Sequence, residues 1–149
     1  MNKKLNIGQY IDRFSIDKIF NDNHTGIYRY LAHDSGGMKV MLQLFALEDL
    51  DRADYVLYEL DEGNLQNNPL FLPVFQTGEV TIEDRQYNYL VRQYVEGESL
   101  ADRIAEHGCY SWDEAMKVVR PIITGMILLD KNRDGYIIHN DITCKNIIL

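Results

Sequence analysis

The chain has 149 residues, with 15 Lys and Arg against 23 Asp and Glu and a formal net charge of −8, which argues against a nucleic-acid surface or a polybasic membrane patch. A composition 46% hydrophobic, with 10 Tyr, 5 Phe and only 3 Pro, excludes collagen, low-complexity and disordered classes. A chain of this length can bury roughly 70% of the surface its unfolded form exposes. The short basic start at Lys3 and Lys4 has no apolar run behind it, so no export signal is expected. The longest oily stretch, 122–129, is broken by Thr124 and Gly125 and is far short of a membrane span. Cys109 and Cys144 have no metal-ligand spacing and read as reduced thiols of a cytoplasmic protein.

The first 95 residues alternate apolar and polar positions in several short runs, the pattern of hairpins. Tyr28–Ala32 and Lys39–Phe45 flank Asp34-Ser35-Gly36-Gly37, a turn between two strands. From Leu47 to Gln66 the spacing becomes helical, with Ala53, Val56, Leu57 and Leu60 on one face. Leu70–Glu79 and Asn88–Val95 are expected as further strands, joined through Thr81–Gln86. Helices are expected from there on. One runs from Ser99 to His107 and is stopped by Gly108; a second follows the capping box Ser111-Trp112-Asp113-Glu114, with a bend expected at Pro121. Tyr136–Ile138 and Ile147–Leu149 are expected as two short strands around a polar loop. The class is therefore α+β: a sheet with one helix at about 48–66 over residues 1–95, then a mainly helical part over 96–149.

The segment richest in chemistry is His139-Asn140-Asp141-Ile142-Thr143-Cys144-Lys145-Asn146, an H-x-D-x-x-x-x-N pattern between apolar runs. Such a loop can hold a carboxylate and an amide at fixed separation over a phosphate and its metal. On residue types alone, Asp141 and Asn146 could equally make Asx-type turns.

This loop resembles the catalytic loop of the protein kinases, most closely the bacterial Ser/Thr kinases, H-R-D-L-x-x-x-N. The resemblance extends upstream. Gln93-Tyr94-Val95-Glu96-Gly97 is similar to the segment that joins the two kinase lobes and binds adenine through its backbone. Asn68-Pro69-Leu70-Phe71 resembles the family's H-P-N-I segment, and Val40-Met41-Leu42-Gln43 stands where V-A-I-K would be. The resemblance implies an N-terminal antiparallel sheet with one C-type helix, followed by the first helices and the catalytic loop of the helical lobe. It implies ATP and magnesium as cofactors, Asp141 as the catalytic base, Asn146 as a metal ligand and Glu59 as the C-helix glutamate. Gly26, Gln43, Gln93 and Val95 become the nucleotide-binding positions.

Departures from the family pattern weaken the expected chemistry. The glycine-rich loop corresponds to 21–28 and keeps only Gly26, while Asp22 adds a negative charge near the phosphates. Gln43 replaces the phosphate-contacting lysine and cannot neutralise charge. Met41 and Tyr28 are expected to crowd the space of the base. Arg92 stands at the gatekeeper position, where it either pairs with Glu59 or turns outward on an edge strand. Asn140 replaces the arginine that reads a phosphorylated activation segment, and Thr143 replaces the lysine that steadies the transferred phosphate.

The leading expectation is a catalytically impaired kinase-like domain, a pseudokinase or fragment that acts as a binding module and binds ATP poorly. Two alternatives remain: an active Ser/Thr protein kinase, and a small-molecule phosphotransferase similar to aminoglycoside and choline kinases. The chain ends at Leu149, before the D-F-G motif. Either the natural chain continues, or self-association covers an apolar C-terminal face. No nucleic-acid or membrane partner is expected, and the sequence names no protein partner.

Overall fold

The computed structural model describes residues 5–20, 26–49, 72–131 and 142–149. Those up to Tyr94 form one compact unit and those from Val95 on form a second.

The first unit is a six-stranded antiparallel sheet. Its strands are β1 (Tyr10–Ile11), β2 (Phe14–Phe20), β3 (Ile27–His33), β4 (Lys39–Phe45), β5 (Val74–Ile82) and β6 (Arg85–Gln93), in spatial order β1-β2-β3-β4-β6-β5. The turn expected at 34–37 joins β3 to β4. Asp34 organises it, its Oδ1 accepting from the amides of Gly36 and Met38 at 2.9 Å each, and Gly37 takes the positive φ of 80° that closes it. A 3₁₀ turn, Leu47–Asp49, follows β4. The rest of the helix expected over 47–66 lies outside the described residues.

The connection expected over 81–86 is shorter than its composition suggested. Strands β5 and β6 run on to Ile82 and Arg85, and Glu83 and Asp84 alone make the turn, with φ of 49° and 64°. Both central residues thus sit in the left-handed region that a two-residue hairpin requires. Non-glycine residues there carry local strain, which the long β5–β6 ladder overrides.

Strand alternation sorts the side chains onto two faces. One face holds the main core, with Phe14, Ile16, Tyr30, Ala32, Val40, Leu42, Leu44, Tyr89 and Val91 all buried. Val80 and Ile82 of β5 pack on this cluster together with Ile11 of β1, although β1 and β5 are the two ends of the sheet order. A hydrogen bond also joins those ends: Gln76 Nε2 of β5 donates to Asp12 Oδ2 in the β1–β2 turn at 2.6 Å and to the Tyr89 hydroxyl at 2.8 Å. The sheet is rolled around its core. Gly78 permits the roll, because a Cβ there would lie 2.7 Å from the Tyr89 ring. The opposite face carries a smaller cluster, Phe45 and Leu90 with Ile27, Leu47 and Val74.

Tyr30 sits at the centre of the main core, 1% exposed, and burial pushes its phenol from 10.0 up to about 12, partly offset by the Leu5 backbone and reinforced by Tyr28 and Tyr87. The unfolded chain therefore releases this proton first. Folding stability is expected to be unaffected by this group below about pH 10, and to fall as pH rises towards 12. Denaturant titrations across that window check it: Tyr30→Phe should flatten the fall, and an unchanged slope counts against the assignment.

In the second unit, α1 (Leu100–His107) starts where expected. Ser99 is its N-cap, with Oγ accepting from the Asp102 amide at 3.1 Å, and Gly108 ends it with φ of 84°. The capping box ahead of α2 (Trp112–Lys131) is reciprocal. Glu114 N donates to Ser111 Oγ at 3.4 Å, while the Ser111 hydroxyl, at 2.6 Å, and the Ser111 amide, at 2.9 Å, both donate to Glu114 Oε2 and hold its carboxyl below the usual carboxylate range. Helix α2 runs uninterrupted through Pro121. Trp112, Val119, Ile123 and Ile127, at spacings of seven and four, form an exposed apolar stripe along it.

Tyr136–Ile138 lie outside the described residues. Ile147–Leu149, expected as a short strand, make one isolated bridge among the described residues. The segment lies against the start of α1 through this bridge, between Ser99 and Ile148, with Leu100 N donating to Ile147 O at 2.8 Å and Leu149 N to Glu98 O at 3.0 Å. Gly97 makes this approach possible, since a Cβ there would lie 2.6 Å from Leu149 O.

Candidate functional site

The residues singled out by sequence fall on both units, and each unit is described by itself. In the sheet unit, Gly26 opens β3 with φ of 83° and accepts the Ala46 amide at 2.8 Å, which binds the start of β3 to the end of β4. A side chain at this φ is strained, which accounts for the one glycine retained in 21–28.

Gln43 lies in β4, between Arg29 of β3 and Leu90 of β6 in the ladder register, on the face opposite the main core. It is 7% exposed, and its Oε1 has no hydrogen-bond partner among the described residues. An acceptor buried in that state costs about 1–3 kcal/mol. Gln43→Met, close in volume and without the carbonyl, is expected to raise stability by about 1 kcal/mol, read as a higher urea midpoint at unchanged slope. A lower midpoint would mean that the amide makes a stabilising interaction.

Register also corrects two expectations. Tyr28 pairs with Leu44 and packs on the main core, where its ring meets Tyr87 edge-on at 6.2 Å. It therefore lies on the opposite face from Gln43 and Met41 and does not crowd the space beside them; Ile27 is the β3 residue on that side. Arg92 does not belong to an edge strand, because β6 lies between β4 and β5. Arg92 pairs with Met41 and Val74, shares the face of Gln43, is half-buried and has its Nε fully covered. Glu59, its expected partner, lies outside the described residues.

Gln93 closes β6 opposite Val40, and its amide donates to Pro73 O at 3.0 Å. Its side chain is exposed, so any contact with a base would come through the backbone. Gly26, Gln43 and Gln93 are thus strung along β4 and its neighbours. Arg29, to which the sequence analysis gives no place, is half-buried and directly opposite Gln43 in the ladder. Its signal was alternation: Tyr28 and Tyr30 point to the core, so Arg29 between them points to the other face.

In the second unit, Val95 is 37% exposed just after the sheet unit ends. Asn146 is exposed in a turn, its amide donating to Thr143 O at 3.0 Å. Asp141 and His139 lie outside the described residues. Cys109 and Cys144 are both free and exposed. Glu98, Glu106 and His107 bring ligand atoms within 4.8 Å of one another, but Glu98 is already engaged by Arg103 at 2.9 Å. Among the described residues, no helix is long and apolar enough to cross a membrane.

No family model matches the chain. It is 28% identical over 109 residues to a probable serine/threonine-protein kinase of Corynebacterium efficiens, covering 73% of this chain and 16% of that protein. It is 29% identical over 109 residues to the probable serine/threonine-protein kinase PknB of Corynebacterium glutamicum, with the same coverage of 73% and 16%. A calcium/calmodulin-dependent protein kinase type 1 of Macrobrachium nipponense is 32% identical over 68 residues, 46% of this chain and 19% of that one. The chain thus spans less than a fifth of the length of the curated relatives it matches. Among solved structures, the Mycobacterium tuberculosis PknI kinase domain matches 99% of this chain and 59% of its own with a TM-score of 0.75 at 16% identity. Rad53 in complex with AMP-PNP matches 92% and 34% with a TM-score of 0.74 at 23% identity. The fold is that of the protein-kinase N-terminal lobe and the start of the C-terminal lobe, α+β as expected, and the sequence relatives are Ser/Thr protein kinases.

Proposed function

We propose, from the protein-kinase fold as premise, that this chain is a kinase-like module impaired in phosphoryl transfer and serving a binding role. The observation that carries the reading is Gln43. A buried, neutral amide occupies the β4 position at which the resemblance calls for a phosphate-contacting lysine. Transfer depends on fixed positive charge where negative charge develops, and loss of one such group costs about 10²–10³ in rate. Thr143, at the position of the lysine that steadies the transferred phosphate, compounds that loss.

ATP and magnesium are the cofactors of the family. Asn146 is the residue that would hold the metal, Asp141 the one that would accept the proton of a substrate hydroxyl, and Gln93 and Val95 those that would meet the base. Gln43 is neutral and offers no positive charge to a triphosphate. Incubation with labelled ATP, magnesium and a generic protein substrate is expected to give no transfer above background. Transfer at a rate typical of kinases, roughly 1–100 per second, would instead establish the active-kinase reading. Transfer to an aminoglycoside or choline but not to protein would establish the small-molecule one.

A further inference from the structure

We propose that Ser99 is a positioning residue for the loop that carries Asn146: by capping α1 it aims the first amides of that helix at two carbonyls of the loop and fixes the stretch between them. The inference rests on the proposed function for what Asn146 would hold, a divalent metal ion. Its geometric basis lies wholly within the second unit.

Amides at the start of a helix have no intrahelical acceptor and must find one elsewhere. Those of the first three residues of α1 are all accounted for. Asp102 N donates to Ser99 Oγ at 3.1 Å, which is the local cap. Leu100 N donates to Ile147 O at 2.8 Å and Ala101 N to Cys144 O at 3.0 Å, so the other two amides are committed to the loop. Ser99 O accepts the next amide, that of Arg103, at 3.0 Å and begins the helical ladder.

Asn146 stands between the two held carbonyls. Its own amide donates to Thr143 O at 3.0 Å, closing a turn over 143–146, and beyond it Leu149 N donates to Glu98 O at 3.0 Å. The loop is therefore pinned on both sides of Asn146, and two of the pins are amides whose direction α1 sets. Ser99 sets the direction of α1 in turn. Its hydroxyl donates to Asp102 Oδ2 at 2.6 Å while accepting from Asp102 N, a use of one donor and one lone pair that a hydroxyl can sustain at once. Without that hydroxyl the first turn of α1 keeps an orphan amide and loses the contact that fixes its entry angle. The side chain of Asn146 is exposed, so its place depends on the backbone beneath it rather than on packing around it.

Amide hydrogen exchange, together with the NMR signals of the Asn146 side-chain amide in the absence and presence of Mn²⁺ alone, tests this in the full chain. Ser99→Ala should speed exchange roughly tenfold at Asn146 and Leu149 while α2 amides beyond the capping box keep their rates, and Ser99→Thr, which retains the hydroxyl, should restore both. Mn²⁺ is expected to broaden the Asn146 signals of the unaltered chain, and Ser99→Ala should need roughly tenfold more of it for the same effect. Faster exchange confined to α1 overturns the proposal, because the influence of the cap would then end with the helix. Equal acceleration throughout α2 assigns Ser99 a general role in stability and also overturns it. Loop signals that respond to Ser99→Ala but are never broadened by Mn²⁺ keep Ser99 as the positioning residue of the loop and remove the metal from the proposed function. Should Ser99→Ala unfold the second unit, Leu100→Pro against Leu100→Ala decides. Proline is accepted at the first helical position, and Ser99 before it already has the extended φ of −72° and ψ of 151° that a following proline favours. Both variants lose the leucine side chain, and only the alanine one keeps the N–H that reaches Ile147 O. Exchange at Asn146 should be roughly tenfold faster in the proline variant, and equal rates overturn the proposal.

Discussion

Leu42→Ala is expected to cost the sheet unit about 2–5 kcal/mol, the range for emptying a fully buried leucine site. Leu42 is 0% exposed on a strand with partners on both sides, opposite Tyr30 of β3 and Val91 of β6. Its neighbours cannot move into the space left behind, because the ladder fixes their backbones and the Asp12–Gln76–Tyr89 contacts hold the two ends of the rolled sheet together. The cost should therefore fall in the upper half of the range. Since whole domains are stable by only about 5–15 kcal/mol, the variant should be largely unfolded at physiological temperature. Met38→Ala, at an exposed position near the β3–β4 turn, serves as the control and should change stability by less than about 0.5 kcal/mol. Urea denaturation followed by tyrosine fluorescence and circular dichroism reads both, and equal midpoints for the two variants would refute the packing argument.

Gly97→Ala is the second large effect, and its origin is different. No positive φ is involved; the side chain simply has nowhere to go. The added Cβ would lie 2.6 Å from the Leu149 carbonyl oxygen and 2.7 Å from Ile148 Cγ2. The first of these is backbone, tied in place by the bond from Leu149 N to Glu98 O at 3.0 Å. The overpacked segment must move away, and about 1–3 kcal/mol of stability in the second unit should go with it. Amide hydrogen exchange gives a residue-level reading. Protection should drop at Leu100, Ala101 and Leu149, whose amides bond across this contact, while α2 amides beyond the capping box keep theirs. Unchanged protection at Leu149 would show that the strand pairing tolerates a side chain there.

What was legible in the sequence was local. The Asp34–Gly37 turn, the Ser99 cap, the Gly108 stop and the Ser111–Glu114 box are each set by residues within four positions of one another, and all are present in the structure. The kinase fold was legible for another reason: the order and spacing of several short patterns agreed over most of the chain. The misreadings share one cause, which is dependence on a distant partner. The Glu83–Asp84 turn has no glycine to announce it, and it is tight because the strands on either side pair to their ends. The family's spacing puts Tyr28 above the base, whereas its face is decided by its pairing with Leu44. Arg92 can be read as an edge residue from sequence because nothing local shows that β5 pairs beyond β6.

The rolled sheet also has a consequence in time. Asp12 and Gln76, which meet at 2.6 Å, are separated by 64 residues of chain. During synthesis the first strands emerge well before β5 exists, so the Ile11–Phe14 side of the core waits uncovered until Val80 and Ile82 arrive. The β3–β4 hairpin can form early from its own turn, but closure of the roll belongs to the end of folding. An interruption of translation between β4 and β5 would leave a sheet with an open, oily inner surface, the species on which a chaperone would act.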